Sequence, residues 1–366
     1  MKPLDRLPAL DGLRAVAILL VVASHLVSHG IPGGLGVTLF FFISGFIITR
    51  MLLNEDFDQG HMLPFYVRRV FRLAPALLVY VAVSCASMAL VGKPLPSGDV
   101  LAALFYYANY HAFWVDAQAQ VLSPLGITWS LAVEEHFYFL FPLLLLAVRK
   151  RLGHLQVVLV LILVGALLWR FALVGSAPNE RIYQGTDTRF DSIAWGCLLS
   201  TLIHRERLGH GSRLLRMLST RTALILGFAV LLATLLVRDP VFRETARYSL
   251  QGLAFVPLFC ALFRSHNAPA RMRQALESRP MGFIGAVSYS LYFYHFLGLS
   301  LASVMFGPNT VSRPVVALLL GAAGTILSYR LIETPTRRFG ARCAARLSPA
   351  PGMPSIRAAS RTGRTP

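Results

Sequence analysis

The chain has 366 residues, of which 55% are hydrophobic and only 14% charged, and its mean hydropathy is +0.59. Soluble domains carry about 25% charged residues, so this chain cannot clothe a water-facing surface; ordinary cytosolic enzymes and disordered proteins are excluded, and lipid is the bulk solvent. The net charge of +18 comes from 35 Lys+Arg against 17 Asp+Glu, but the basic residues sit in short clusters between apolar runs, a pattern of membrane orientation rather than nucleic-acid binding.

A hydrocarbon core of about 30 Å needs about 20 mainly apolar residues per helix. In chain order the candidate spans are Leu13–His29, Gly34–Leu53, Ala74–Gly92, Trp129–Val148 and His154–Val174. Phe190–His204, Thr222–Val237, Thr245–Phe263, Gly282–Phe306 and Arg313–Ile332 complete them. Another stretch, Leu101–Trp114, is shorter and studded with Tyr, Asn and His. The first span has Lys2 and Arg6 before it, like a signal peptide, but no small-residue cleavage site follows, so it reads as retained.

Basic residues decide whether Leu101–Trp114 crosses. If it does not, 25 of the 35 Lys+Arg fall in inward segments and six in outward ones. If it does, Arg149, Lys150 and Arg151 turn outward and the later loops invert. The split favours an all-α, polytopic integral membrane protein with ten transmembrane helices and one short re-entrant or interfacial segment, both termini being cytosolic. Residues 1–340 then form the membrane domain. Residues 341–366, rich in Pro, Ser and Arg, read as a flexible basic cytosolic tail able to touch anionic lipid. The four cysteines, Cys85, Cys197, Cys260 and Cys343, lie far apart and imply neither a zinc site nor a disulfide framework.

Ionisable side chains inside a span cost at least about 2.5–3.5 kcal/mol each on insertion scales and need a reason. Arg14 and His25 are separated by ten residues in the first helix. Eleven steps of about 100° make nearly three whole turns, so both project from one face, about 16 Å apart along the axis. A snorkelling arginine and a packed histidine would satisfy the same pattern. Counting about 1.5 Å per residue, His25, His295 and Glu134 all fall roughly 18–22 Å from the cytosolic edge, with Glu135 and His136 alongside. A carboxylate beside an imidazole fixes its tautomer and raises its basicity, as a hydroxyl-activating base requires. A polar layer that only bonds helices together is the alternative.

A second basic group, Arg68, Arg69 and Arg72, leads into the third span. Arg68 and Arg72 share a helical face, and guanidinium forks suit phosphate oxygens, although membrane topology alone also places arginines here.

The ordered series of segments resembles acyltransferase family 3, integral-membrane acyltransferases that decorate bacterial cell-envelope sugars. LDGLRAVAILLVVASH (10–25) is similar to the family's opening motif, with its arginine and histidine ten residues apart. GVTLFFFISGFIITR (36–50), FYVRRVFRLAP (65–75) and WSLAVEEHFYFLFP (129–142) follow. TRFDSIAWGCLL (188–199), VSYSLYFYH (287–295) and IETPTRR (332–338) close a series that covers residues 7–340. One position departs: the second motif usually reads glycine, valine, aspartate, and here Thr38 replaces the acid. Some members carry an appended hydrolase-like domain. This chain ends soon after its last span, so the stand-alone form is expected.

The resemblance implies an O-acyltransferase of the bacterial inner membrane, with acyl-CoA, usually acetyl-CoA, as cytosolic donor and a hydroxyl of a sugar or glycoconjugate as acceptor. His25 would act as general base or transient acyl carrier, with Arg14, Glu134 and Glu135 as its catalytic company. Arg68, Arg69 and Arg72 would hold the donor, and Tyr292, His295 and Asp191 the acceptor. Acyl transfer from a thioester requires no metal. A transporter or flippase for a lipid-linked or small sugar would use the same spans and buried charges as a translocation site.

Overall fold

A computed structural model describes residues 7–28, 30–54, 59–111, 113, 123–148, 151–307 and 310–348. Among these the regular structure is entirely helical. The first helices are α1 (Pro8–Leu26), α2 (Gly33–Asn54) and α3 (Gln59–Leu90), followed by the short α4 (Ser97–Leu104) and α5 (Ala108–His111). Next come α6 (Thr128–Ala147), α7 (Leu152–Leu173), the short α8 (Asn179–Gln184) and α9 (Thr186–Arg207). The chain continues through α10 (Arg221–Leu236), α11 (Ala246–Phe263), α12 (Ser288–Phe306), α13 (Ser312–Ser328) and α14 (Thr334–Leu347).

Every expected span is represented by a helix. Eight helices among the described residues are long and apolar enough to cross a membrane. The other two expected spans fall short for separate reasons: α9 bears Asp187, Arg189 and Asp191 near its start and Arg205, Glu206 and Arg207 at its end, and α10 has only 16 residues. The chain is a multi-pass membrane protein of all-α architecture.

The described part of the stretch, residues 101–111 and 113, makes no span. It turns between α4 and α5 at Tyr106, whose φ of 56° is unusual for a residue with a side chain. Tyr106 lines one cavity with Glu135 and His136, so the tip of this hairpin reaches the polar layer of the bundle. Asn109 on α5 fastens it by donating to Thr186 Oγ1 at 2.8 Å. His29 and Trp114, the expected ends of two segments, lie outside the described residues.

Small residues let the helices that carry the site approach closely. A Cβ on Gly45 of α2 would collide with the Ile193 carbonyl oxygen of α9, and one on Gly196 of α9 with the Phe42 carbonyl oxygen of α2. Two glycines thus permit one backbone crossing from both sides. α1 packs on α2 and on α12, and α9 on α7, which gathers the polar spans around α2.

Two boundaries differ from the sequence reading. α3 begins at Gln59 rather than Ala74, because the arginine-rich segment continues the helix through Pro64 and Pro75. The last helix also runs past residue 340. Pro335 has no N–H for the Leu331 carbonyl and its ring crowds that oxygen. The helix takes this up as a π-helical turn over Tyr329–Glu333 and continues through Leu347, with Gly340 facing Phe71 of α3. Residues 349–366 of the expected tail lie outside the described residues.

Candidate active site

Arg14 and His25 open onto different spaces. Arg14 lines a narrow central cavity of about 70 Å³ with Ser44, Arg69, Arg72, Glu134 and Tyr289. His25 lines a second cavity of about 450 Å³ with Ser24, Trp129, Tyr183 and Gln184. Val37 of α2 and Tyr292 of α12 line both, so the two spaces share a wall. Tyr292 is held there by its hydroxyl, 2.7 Å from Ser130 Oγ and 3.2 Å from the Ile127 carbonyl oxygen.

The hydrogen bonds around His25 fix its protonation pattern. His295 Nδ1 lies 2.9 Å from the Leu291 carbonyl oxygen, which can only accept, so Nδ1 carries the proton. In the neutral ring His295 Nε2 is then an acceptor, and His25 Nδ1 stands 3.0 Å from it. His25 therefore donates from Nδ1, leaving Nε2 as the ring nitrogen with the lone pair. The two rings lie within 9° of parallel, and the edge of Phe296 closes one side. This is the logic of a base oriented by a third group, with an imidazole where a carboxylate usually stands. When His25 takes a proton, its Nδ1–H bond to His295 is retained.

His295 was expected to hold the acceptor. It is 1% exposed, and its Nε2 faces His25 Nδ1 at 3.0 Å. The glutamates were expected beside His25 but stand with the arginines. Glu135 ion-pairs with Arg69, which stacks over the Tyr138 ring with its guanidinium carbon 3.0 Å from the centroid. Glu134 accepts from Ser44 Oγ at 2.8 Å and lies 3.8 Å from Arg69. The positive group and the acidic pair, read as separate in sequence, form one constellation. Arg68 does not line the cavity that Arg14, Arg69 and Arg72 share.

Asp191 was expected to contact sugar. It is completely enclosed, ion-paired to Arg170 of α7 at 2.7 Å and bonded to Ser249 of α11 at 2.7 Å. Arg170 also donates to the Thr245 carbonyl at 3.0 Å and to the Thr188 carbonyl. This carboxylate joins three helices and lines neither of the two cavities above.

The acyltransferase domain family model matches residues 7–333. The chain belongs to this family. It is 32% identical over 349 residues to O-acetyltransferase OatA of Staphylococcus aureus strain NCTC 8325 / PS 47, covering 91% of this chain and 58% of that protein. It is also 32% identical over 359 residues to Putative O-acetyltransferase SACOL0978 of strain COL, covering 93% of this chain and 58% of that one. The chain thus spans a little under three fifths of the length of these curated relatives. No solved structure gives a significant match. The family model is described as an acyltransferase domain.

For an acyltransferase domain of this family the Thr38 position takes on a definite meaning. Thr38 Oγ1 donates to the Gly34 carbonyl at 3.0 Å and accepts from Arg189 at 3.1 Å. Arg189 is fully buried, 4.2 Å from the Tyr248 ring centroid, and bonds to the Tyr183 carbonyl at 3.2 Å, while its Nε has no partner. No carboxylate ion-pairs with it among the described residues. Aromatic faces and a hydroxyl do here what a carboxylate would do more strongly.

Sequence reasoning missed Ser44, Ser130, Trp129, Tyr183 and Gln184. The first three lie inside recognised motifs, but nothing in their spacing marks them from the apolar residues around them. Tyr183 and Gln184 sit on the short loop helix α8, where no span pattern applies. Burial pushes the Tyr183 hydroxyl above its usual range, with Arg189 opposing, so it remains a neutral phenol.

Proposed function

We propose that this chain transfers an acetyl group from acetyl-CoA, supplied from the cytosol, to a hydroxyl of a cell-envelope carbohydrate. It would do so within the bacterial inner membrane, with both termini cytosolic. The observation that carries this reading is the hydrogen-bonded His25–His295 pair, with His25 lining a roomy cavity that shares a wall with an arginine-lined one. The printed names of both relatives, O-acetyltransferases, agree with it.

Arg14 and Arg72 line the central cavity without an ion-pair partner among the described residues, whereas Arg69 is engaged by Glu135. Two uncompensated guanidinium groups fit the phosphates or the thioester oxygen of the donor.

In the proposed step His25 Nε2 takes the acceptor's hydroxyl proton as the oxygen attacks the thioester carbonyl carbon. Tyr292, in the wall of both cavities, is placed to donate to the oxygen on which negative charge develops. The C–S bond then breaks, and the thiolate leaves with the proton returned by the imidazolium. A two-step route would use the same nitrogen as nucleophile, and labelled acetyl trapped on His25 in a quenched reaction without acceptor would distinguish it.

The test is acetyl transfer from labelled acetyl-CoA to envelope glycans by the reconstituted protein, read by mass spectrometry. His25→Ala is expected to insert normally and transfer nothing measurable. Unimpaired transfer by that variant would overturn the mechanism.

A further inference from the structure

The cavity beside His25 contains groups that the transfer step does not use. Gln184 ends α8, and its backbone carbonyl is fastened by Asn109 Nδ2 at 3.4 Å. Its side chain lines the cavity, yet Oε1 is enclosed and has no hydrogen-bond partner. A buried amide oxygen without a donor is uncommon and calls for an explanation. Glu180, four residues earlier and therefore on the same face of α8, lines the cavity with an exposed carboxylate. It forms no ion pair among the described residues. Both groups seek hydrogen-bond donors. Tyr183 and Trp129, with ring centroids 4.9 Å apart, supply an aromatic wall to the same space. Neither Lys nor Arg lines it.

We propose that this cavity is a saccharide subsite for an uncharged or amino sugar. Hydroxyl and amide N–H groups of the sugar donate to Gln184 and Glu180, and its C–H face rests on Tyr183 and Trp129. The proposal deepens the acyltransferase reading above, since it takes the acceptor to be held beside His25. It also sets the charge of the acceptor: a uronate carboxylate entering here would meet Glu180 and find no cation to pair with, so the subsite rejects acidic sugars. A 180° turn of the Gln184 amide exchanges its oxygen and nitrogen at little cost, and a ligand N–H or O–H would select the orientation with oxygen toward the cavity.

The test uses the full chain in nanodiscs, titrated with two probes, chitotetraose (neutral, with amide N–H donors) and tetragalacturonate (four carboxylates). Saturable binding of chitotetraose is expected, with tetragalacturonate at least tenfold weaker. Gln184→Met, nearly isosteric but without an acceptor, should weaken chitotetraose binding about fivefold or more. Should that variant fail to fold, Glu180→Gln at an exposed position serves instead and should narrow the discrimination against tetragalacturonate. Equal or tighter binding of tetragalacturonate overturns the proposal. So does saturation by neither probe, or the absence of any effect from the substitution that folds. Acetyl transfer from acetyl-CoA is measured on the same preparations. Sugar binding without any transfer removes the enzymatic reading and leaves the subsite standing, whereas transfer with indifferent sugar charge removes the subsite alone.

Discussion

Two buried polar constellations stand a few helices apart in this bundle and behave in opposite ways. Around Arg170 and Asp191 the charge is balanced, and the guanidinium finds two carbonyls, a carboxylate and a hydroxyl. Around His25 the ring Nδ1 is bonded to His295, and a space of about 450 Å³ lies against it. An ionisable residue in a membrane span is thus no guide to chemistry by itself. What separates a clasp from a reactive group is whether the side chain also faces a space that a substrate can enter.

That contrast can be broken in either half. The largest effect is expected at His25, where replacement by Ala should lower transfer by about 10²- to 10⁴-fold, the usual contribution of a general base. The thermal midpoint of the purified protein should change little, and a large fall in stability would class His25 with the clasp instead. Asp191→Ala should do the reverse. Stranding the Arg170 charge should cost about 3–5 kcal/mol of stability, read as a lower unfolding temperature in detergent, while any protein that stays folded keeps its affinity for donor. A donor-specific rise in KM would contradict that assignment.

A smaller effect is expected at His295. His295→Ala removes the acceptor for His25 Nδ1–H and should lower kcat by about ten- to a hundredfold, a part of the general-base contribution, with donor KM unchanged. His295→Gln, whose amide oxygen can accept the same bond, should recover some of the loss; a Gln variant no better than Ala would mean that packing rather than orientation is at stake. The smallest effect is a gain. Thr38→Asp brings a carboxylate to Arg189 and should raise stability by about 1 kcal/mol, because charge-assisted hydrogen bonds are roughly twice as strong as neutral ones. Destabilisation instead would show that the aromatic enclosure already suffices.

Much of this was legible before any coordinates. Apolar run lengths and the placement of lysine and arginine gave the spans and the hairpin, since both follow from the thickness and dryness of the bilayer. Helical arithmetic put Arg14 and His25 on one side of α1. Depth arithmetic brought His25, His295 and Glu134 to one level but carried no azimuth, so it could not tell that His295 faces His25 while Glu134 turns toward Ser44. The Arg170–Asp191–Ser249 cluster was hidden because its members come from three helices, and run lengths do not say which helices meet. The continuation into α14 depended on a π-helical turn that no propensity scale registers.

The shared wall of Tyr292 and Val37 has a consequence for permeability. If the central cavity and the His25 cavity connect to opposite aqueous phases, the insulation between cell interior and exterior is here no thicker than a phenol ring and an isopropyl group. The enzyme would then pass an acyl group across a septum that must still hold back protons and small solutes. Removing the ring, as in Tyr292→Ala, should convert a chemical crossing point into a leak, visible as faster collapse of a pH gradient across proteoliposomes.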